Sequence, residues 1–203
     1  MVCGMILFPN AKINIGLFIT EKRDDGYHNL ESVFYPIGLS DILEVREKKE
    51  DEAAFTNTGI AVDIPYHENI CHKAYELVKK SYPIPPVTFH LHKVIPMGSG
   101  LGGGSSDAAF TLKALNQLFR LNLSTDTLKT MAMELGSDCP FFIDNAPAYV
   151  WEKGNRMEPI QLPLKGKYLL VVVPTFPIST REAYQRVMPS RTRKSLKERI
   201  REA

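Results

Sequence analysis

The most informative stretch of this sequence is PMGSGLGGGSSDAA, residues 96–109. It holds five glycines within seven consecutive positions, between a predicted strand at 87–95 and a predicted helix at 105–119. Glycine permits positive φ and leaves the backbone N–H groups accessible. The unpaired amides and the dipole of a helix N-terminus attract anions, and Ser105 and Ser106 add hydroxyl groups there. The sequence therefore predicts a loop that binds phosphate.

Three common phosphate-binding motifs do not describe this loop. No lysine follows the glycines, as the Walker pattern requires. Gly98, Gly100 and Gly103 satisfy G-x-G-x-x-G, but the dinucleotide fold needs a second parallel strand after the helix. A second helix is predicted there instead, at 125–135 with Ser124 as N-cap. The H-R-D and D-F-G motifs of protein kinases are also absent from the sequence.

Strands and helices alternate along the chain, and the N-terminal part is rich in strands. Strand-like segments are predicted at 5–20, 30–48, 140–152 and 167–174, and a further helix is predicted at 70–82. The hairpin-like N-terminal pattern favours the α+β class over a doubly wound sheet.

The glycine-rich stretch resembles the central motif of the GHMP kinases, the family of galactokinase, homoserine kinase and mevalonate kinase. The resemblance implies an N-terminal nucleotide-binding domain at 1–155, of the ribosomal protein S5 domain 2-like α/β type. It also implies that 156–203 begins an incomplete C-terminal α/β domain. ATP is then expected to bind through Pro96, Gly98, Gly100, Gly102, Gly103, Gly104, Ser105 and Ser106. Magnesium would accompany ATP, with Ser106 as the candidate ligand.

Lys12 and Asn14 alternate with apolar residues and therefore project from one face of a strand. A half-buried lysine needs a partner, and Asp138 is the best candidate. Spacing alone leaves a structural ion pair and a catalytic pair equally open. The segments P-N-A-K-I-N and G-S-D-C-P-F-F resemble the family motifs that hold the catalytic lysine and aspartate. The resemblance thus assigns Asp138 as base or hydroxyl-positioning group, Lys12 as its electrostatic partner and Asn14 as a substrate contact.

The segment DGYHNLESVF, residues 25–34, forms a predicted turn followed by a strand. By itself it reads as a surface loop. It resembles, however, a segment of the one GHMP branch whose acceptor carries cytidine diphosphate, and there it implies that Tyr27, His28 and Phe34 line a cytidine pocket. The implied reaction is ATP-dependent phosphorylation of the 2-hydroxyl of 4-(cytidine 5′-diphospho)-2-C-methyl-D-erythritol, on the non-mevalonate route to isoprenoid precursors.

Three further residues follow from weaker similarities. Asn69 and Lys93 resemble nucleotide-binding positions, although Lys93 also reads as a solvated charge at a strand end. Thr180 resembles a residue of the substrate-side loop. His90 and His92 lie two residues apart on a strand, but no third ligand at metal-binding spacing accompanies them.

Composition limits the remaining function classes. The net charge is +2 and the chain has three cysteines in no disulfide or zinc pattern. No apolar run approaches the about 20 residues that span a bilayer, and no signal peptide is recognised. We therefore expect a cytoplasmic enzyme, monomeric or homodimeric, that acts on a small molecule and binds neither nucleic acid nor membrane.

The family resemblance also raises an expectation about length. Gly166 is the only glycine after Gly154, so the third glycine-rich motif of the family is absent. We expect a form shortened at its C-terminus, whose activity is open. Two alternatives remain: a GHMP kinase of the homoserine or mevalonate type, and a catalytically silent nucleotide- or RNA-binding module with a basic tail at 191–201.

Overall fold

The computed structural model describes residues 4–48, 53–164, 166–174, 187–189 and 194–202. Within these ranges the chain forms two four-stranded sheets and five α-helices. Hairpins dominate the N-terminal part, and helices alternate with strands after it. The predicted α+β class is confirmed.

The glycine-rich loop follows the third strand of the first sheet. Its order is β1 (Gly4–Leu7), β4 (Ile42–Glu47), β6 (Val87–Lys93) and β5 (Ala54–Gly59). The β5–β6 pair is parallel and the other pairs are antiparallel. Burial alternates along β6, so that every second side chain from Val87 to Lys93 faces the core.

The second sheet is antiparallel, in the order β2 (Asn10–Lys22), β3 (His28–Ser40), β7 (Ala148–Glu152) and β8 (Arg156–Pro159). A bulge at Gly16, where φ is +70°, shifts the β2–β3 register, and the Ser32 hydroxyl donates to the Gly16 carbonyl at 2.7 Å. Residue 155, the last residue of the predicted N-terminal domain, lies in the turn between β7 and β8.

The helices are α1 (Ile70–Ser81), α2 (Gly103–Leu118), α3 (Thr125–Leu135), α4 (Cys139–Asp144) and α5 (Leu196–Arg201). The first three match the helices predicted from the sequence, and Ser124 caps α3 as expected by accepting from the Thr127 amide. Helix α2 is central: it packs against α1, α3 and α4 and buries Ala108, Leu112 and Leu115. The glycine-rich loop therefore leads into a helix that packs against three other helices.

Two predicted strands are wrong. Residues 139–144 of the predicted strand 140–152 form α4, and the strand begins only at Ala148. Pro140 favours the first turn of a helix, and a short apolar run does not distinguish a buried helix from a strand. The predicted strand 167–174 is not formed, and Tyr168 and Leu170 are exposed. A strand needs a hydrogen-bonded neighbour, and no described strand pairs with this segment.

Candidate active site

The glycine-rich loop has the positive-φ backbone conformation that its glycines predict. Gly98, Gly100 and Gly102 have φ of +69°, +77° and +74°, and Gly102 is the N-cap of α2. A Cβ atom added at Gly98, Gly100 or Gly104 would meet nothing within 4 Å in the described structure. The loop therefore keeps one side open, toward the N-terminus of α2, where a phosphate chain has room to bind.

The other side of the loop is closely packed against Lys12. The Lys12 backbone amide donates to the Leu101 carbonyl at 2.8 Å, which joins β2 to the loop. A Cβ atom added at Gly102 would lie 2.9 Å from Phe142 Cζ and 3.1 Å from Lys12 Cγ. Gly102 is thus required both for its positive φ and for the close approach of the lysine stem.

Three neighbouring side chains stabilise the buried ammonium group of Lys12. Its Nζ donates to Asn14 Oδ1 at 2.6 Å, lies 3.5 Å from Asp138 Oδ2 and lies 4.3 Å from the centre of the Phe34 ring. Burial lowers the pKa of the Lys12 ammonium, and Asp138 partly offsets that shift. The predicted grouping of Lys12, Asn14 and Asp138 is therefore present in the structure.

Asp138 lies at the N-terminus of α4 and is more accessible than Lys12. Its side chain is 31% exposed, whereas that of Lys12 is 6% exposed. The carboxylate does not cap α4, and its Oδ1 accepts from the Ser137 hydroxyl at 3.4 Å. Helix α4 is held in place at its far end, where Lys113 Nζ donates to the carbonyls of Phe142 and Ile143 at 3.2 and 3.1 Å.

The two predicted serines occupy the first turn of α2. The Ser105 side chain interacts with the Cys139 thiol, which brings α2 against the start of α4. Ser106 is fully buried, and its Oγ has no hydrogen-bond partner among the described residues. An unpartnered buried hydroxyl at a phosphate loop is unusual, because most buried polar atoms are paired.

Lys93 does not lie at a solvated strand end. Its ammonium is 3% exposed and bonds to Asp41 Oδ2 at 2.5 Å and Asp107 Oδ2 at 2.7 Å. A direct contact between Nζ and a nucleotide does not fit this geometry, because all of the group is enclosed beneath α2. Sequence analysis did not single out Asp41 or Asp107. The available signal for Asp41 was an acidic residue between two strands with no glycine or proline to form the turn.

Asn69 is 3% exposed, and its Oδ1 caps α1 by accepting from the Cys71 amide at 2.9 Å. A capping role is sufficient to explain this residue. Its contact with a nucleotide stays a prediction.

The turn between β2 and β3 presents an exposed aromatic ring. Tyr27 is 63% exposed, and Lys153 Nζ lies 5.1 Å from the centre of its ring and 3.5 Å from Asp25 Oδ2. His28 begins β3, opposite Lys22. Phe34 lies six residues further along the strand, is 4% exposed and packs edge-on against Phe141 at 5.5 Å. Phe34 is therefore placed with Lys12, and its share in a pocket with Tyr27 stays a prediction.

Other predicted features have local structural explanations. The ring nitrogens of His90 and His92 lie 3.0 and 2.9 Å from the Thr58 hydroxyl. No group of three potential metal-binding His, Cys, Asp or Glu side chains occurs in the described parts of the chain. Cys71 and Cys139 are buried and free. Thr180 lies outside the described residues.

Comparison with known proteins identifies the family. The GHMP kinases N terminal domain matches residues 69–150. A 4-diphosphocytidyl-2-C-methyl-D-erythritol kinase of Parabacteroides distasonis is 50% identical over 97% of this chain, and the match covers 72% of that relative. A crystal structure of 4-(cytidine 5′-diphospho)-2C-methyl-D-erythritol kinase aligns with a TM-score of 0.67 and 37% identity, over 78% of this chain and 56% of that chain.

The homoserine kinase of Cytophaga hutchinsonii aligns with a TM-score of 0.65 but only 16% identity, over 98% of this chain and 63% of that structure. That match concerns the fold alone. The close sequence match is specific, because it extends over nearly all of the chain and includes the segment 25–34 as well as the glycine-rich loop. The chain therefore belongs to the 4-diphosphocytidyl-2-C-methyl-D-erythritol kinase family of the GHMP kinases.

Proposed function

We propose that the chain transfers the γ-phosphoryl group of ATP to the 2-hydroxyl of 4-(cytidine 5′-diphospho)-2-C-methyl-D-erythritol, in isoprenoid precursor synthesis. The observation that carries the proposal is the Lys12–Asp138 pair, which lies next to an open phosphate loop. A kinase of small alcohols must hold the phosphates, place the hydroxyl in line and offset the charge of the transferring group. The loop and the pair supply groups for each of these tasks.

Asp138 acts on the acceptor hydroxyl. The hydroxyl oxygen bonds to the γ-phosphorus while the bond from that phosphorus to the β–γ bridging oxygen breaks, and ADP leaves. The hydroxyl proton passes to Asp138, whose partly exposed carboxylate is open to the substrate. The proton is transferred during or after formation of the phosphorus–oxygen bond, so that the product is a neutralised phosphate ester oxygen rather than a protonated one.

Lys12 stabilises the negative charge that develops in this step, and Asn14 orients the Lys12 ammonium. The Lys12 ammonium is largely removed from water, so its attraction for developing negative charge is weakly screened. Asn14 Oδ1 accepts one of the three protons of Nζ and so fixes the direction of the others. The stacking of Lys12 over Phe34 restricts the lysine further.

The loop amides and Ser106 fit Mg-ATP. The start of α2 offers N–H donors to the phosphate chain, and the open positions at Gly98, Gly100 and Gly104 leave room for it. Magnesium usually binds through phosphates with few protein ligands, and the unpartnered Ser106 hydroxyl is the candidate on this chain. Bound Mg²⁺ supplies charge neutralisation to the phosphates.

Tyr27 and His28 are proposed to bind the cytosine end of the substrate. The Tyr27 ring is 63% exposed. An exposed ring of this kind suits stacking on a base. Lys153 beside the same ring provides a cation for the diphosphate or the base carbonyl.

The RNA-binding alternative is disfavoured by the contacts of the tail. Lys197 pairs with Glu158 at 2.6 Å, Lys194 pairs with Glu202, and Arg199 lies over the Phe18 ring at 5.4 Å. Lys197 and Arg199 attach α5 to the second sheet, whereas the Lys194–Glu202 pair lies within the tail itself. We propose no nucleic-acid partner and a cytoplasmic monomer or homodimer, and no helix among the described residues is long and apolar enough to cross a membrane.

The proposed function is tested by ADP release from Mg-ATP with the cytidine diphosphate substrate, and with homoserine and mevalonate in parallel. Turnover is expected only with the first substrate, and Asp138→Asn should reduce it by about 10²–10⁴-fold. Asp126→Asn, at an exposed position on α3, is the matched control and should keep the full rate. Equal turnover with mevalonate, or an unchanged rate in Asp138→Asn, would refute the assignment.

A further inference from the structure

A bulge interrupts the pairing of β2 with β3 immediately after Asn14 and Ile15. Leu17 is the next residue of β2 with a partner in β3, so Gly16 is an extra residue in the register. Its φ of +70° is the left-handed conformation that a glycine adopts in one common type of bulge. A bulge disrupts the backbone ladder and lets the strand bend there. The disruption lies close to the side chains that orient Lys12.

A buried hydroxyl group holds this bulge. Ser32 of β3 is fully buried, and its Oγ donates to the Gly16 carbonyl at 2.7 Å. The bond joins the two strands where the register shifts, and so a side chain supplies a partner to a carbonyl group of the disrupted ladder. Helix α5 packs against the same glycine, because a Cβ atom added at Gly16 would lie 3.2 Å from Leu196 Cδ1. The bulge is therefore held by contacts from both β3 and α5.

Ser32 lies beside the contacts that orient Lys12. One residue separates Ser32 from Phe34 on β3, so their side chains project from the same face of the sheet. Phe34 pairs with Asn14 of β2, and both side chains contact the Lys12 ammonium. Asn14 Oδ1 accepts from Nζ at 2.6 Å, and the centre of the Phe34 ring lies 4.3 Å from Nζ. Lys12 is thus oriented by one residue from each strand.

The direction of the Lys12 ammonium therefore depends on how β2 is placed against β3. If β2 bends or slides at the bulge, Asn14 moves relative to Phe34, and the Nζ protons change direction. Phosphoryl transfer is sensitive to such a change, since a displacement of about 1 Å can lower a rate about 10²-fold. The bond between Ser32 and Gly16 opposes this movement, two residues from Asn14 on one strand and two from Phe34 on the other.

We propose that Ser32 is a positioning residue for phosphoryl transfer, whose hydroxyl fixes the bulge at Gly16. The fixed bulge keeps Asn14 opposite Phe34, in the register that orients the Lys12 ammonium. The inference rests on the proposed function, because it takes Lys12 as the group that stabilises the charge of the transferring phosphoryl group. Ser32 is itself fully buried, so its effect passes through these neighbours.

The test is a double-mutant cycle on the full chain, with kcat for Mg-ATP and the cytidine diphosphate substrate as the measurement. Ser32→Ala should lower kcat by about 10-fold to 10²-fold, whereas the Kd for ADP should stay unchanged because the glycine-rich loop is not altered. Asn14→Ala removes the contact through which Ser32 acts, so Ser32→Ala should cause little further loss in the double variant. Losses that multiply would show that the two residues act independently, and this result would overturn the inference.

Two variants separate the hydroxyl from a general loss of stability. Ser32→Thr keeps the donor and should retain more of the rate than Ser32→Ala. Ser124→Ala is the matched control, because it removes the cap of α3 outside the proposed site and should lower stability at full kcat. If Ser32→Ala keeps the full kcat, the inference is refuted and the proposed function stands. If the folded unmodified chain does not turn over this substrate, both are overturned.

A second measurement does not depend on turnover. ¹⁵N NMR of the lysine ammonium groups, with the Lys12 signal assigned by its loss in Lys12→Gln, reports the orientation of this group directly. The Lys12 signal should shift or broaden in Ser32→Ala, since its contacts are loosened. Lys93, which is held by Asp41 and Asp107, is the internal control and should be unchanged. A Lys12 signal that is identical in the unmodified chain and in Ser32→Ala would refute the inference.

Discussion

Gly102→Ala tests whether the glycine-rich loop and Lys12 are packed as the structure describes. Gly102 has φ of +74°, where an L-residue costs about 1–2 kcal/mol. The new Cβ would also lie 2.9 Å from Phe142 Cζ and 3.1 Å from Lys12 Cγ. Because Phe142 is fully buried, the crowding adds about 1–3 kcal/mol. We expect the free energy of unfolding to fall by about 2–5 kcal/mol in total.

Two other glycines of the loop separate these contributions. Gly98 has φ of +69° but no atom within 4 Å of an added Cβ, so Gly98→Ala should lose only the conformational part, about 1–2 kcal/mol. Gly104 is helical and equally uncrowded, so Gly104→Ala should be neutral or more stable by up to about 1 kcal/mol. Urea denaturation of the three variants, compared at constant m-value, measures the differences.

The order of the three losses in free energy of unfolding tests the packing of the loop. If Gly102→Ala loses no more stability than Gly98→Ala, the close approach of Phe142 and Lys12 to the loop is refuted. We also expect Gly102→Ala to lose more kinase turnover than its loss of stability explains, because the added methyl displaces the Lys12 stem. Turnover is measured at a temperature where the variant is fully folded.

The remaining predictions concern a titration, a cap and a helix anchor. Burial raises the pKa of Asp107 from 3.8 to about 7, so between these values the folded chain binds more protons than the unfolded chain. The free energy of unfolding should therefore fall as pH rises from about 4 to about 7, by up to about 1.4 kcal/mol per pH unit. Urea midpoints at several pH values should show this slope, and it should be missing in Asp107→Asn. Asn69→Ala should lose about 1 kcal/mol, and Asn69→Asp should lose little, because the carboxylate can still cap α1; an equal loss in both would contradict the capping role. Lys113→Met should lower kinase turnover as well as thermal stability, since Lys113 holds the carbonyls at the end of α4; an unchanged rate would show that Asp138 does not depend on this anchor.

Local sequence patterns were sufficient for much of the fold. The glycine-rich loop, the following helix and the capped helix at Ser124 all have strong short-range signals, and the structure has each of them. The pairing of Lys12 with Asp138 was anticipated from alternation on a strand and from family motifs. The loop and the helix cap each depend on a few neighbouring residues, and Lys12 and Asp138 each lie in a short motif of their own, which is why these features could be recognised from the sequence.

The segment that becomes α4 shows where local pattern fails. A short apolar run such as 140–143 favours a strand or a helix almost equally. The choice depends on packing: Phe141 packs against Phe34 and Phe142, while Lys113 binds the carbonyls at the end of the helix. Phe34 and Lys113 are both distant from this segment in sequence. The apolar segment 168–173 has strong strand propensity but no pairing partner among the described strands, and it remains unpaired there.

The sequence alone was sufficient to identify the family, the glycine-rich loop and the two residues of the Lys12–Asp138 pair. Only the tertiary structure decided that Lys93 lies inside the protein, between Asp41 and Asp107, and that these three charges lie under the start of α2. The physical reason is that a loop conformation is set by neighbouring residues, whereas the electrostatic state of a buried group is set by whatever distant segments surround it. Asp41 and Lys93 are 52 residues apart in the chain, and only folding brings them together.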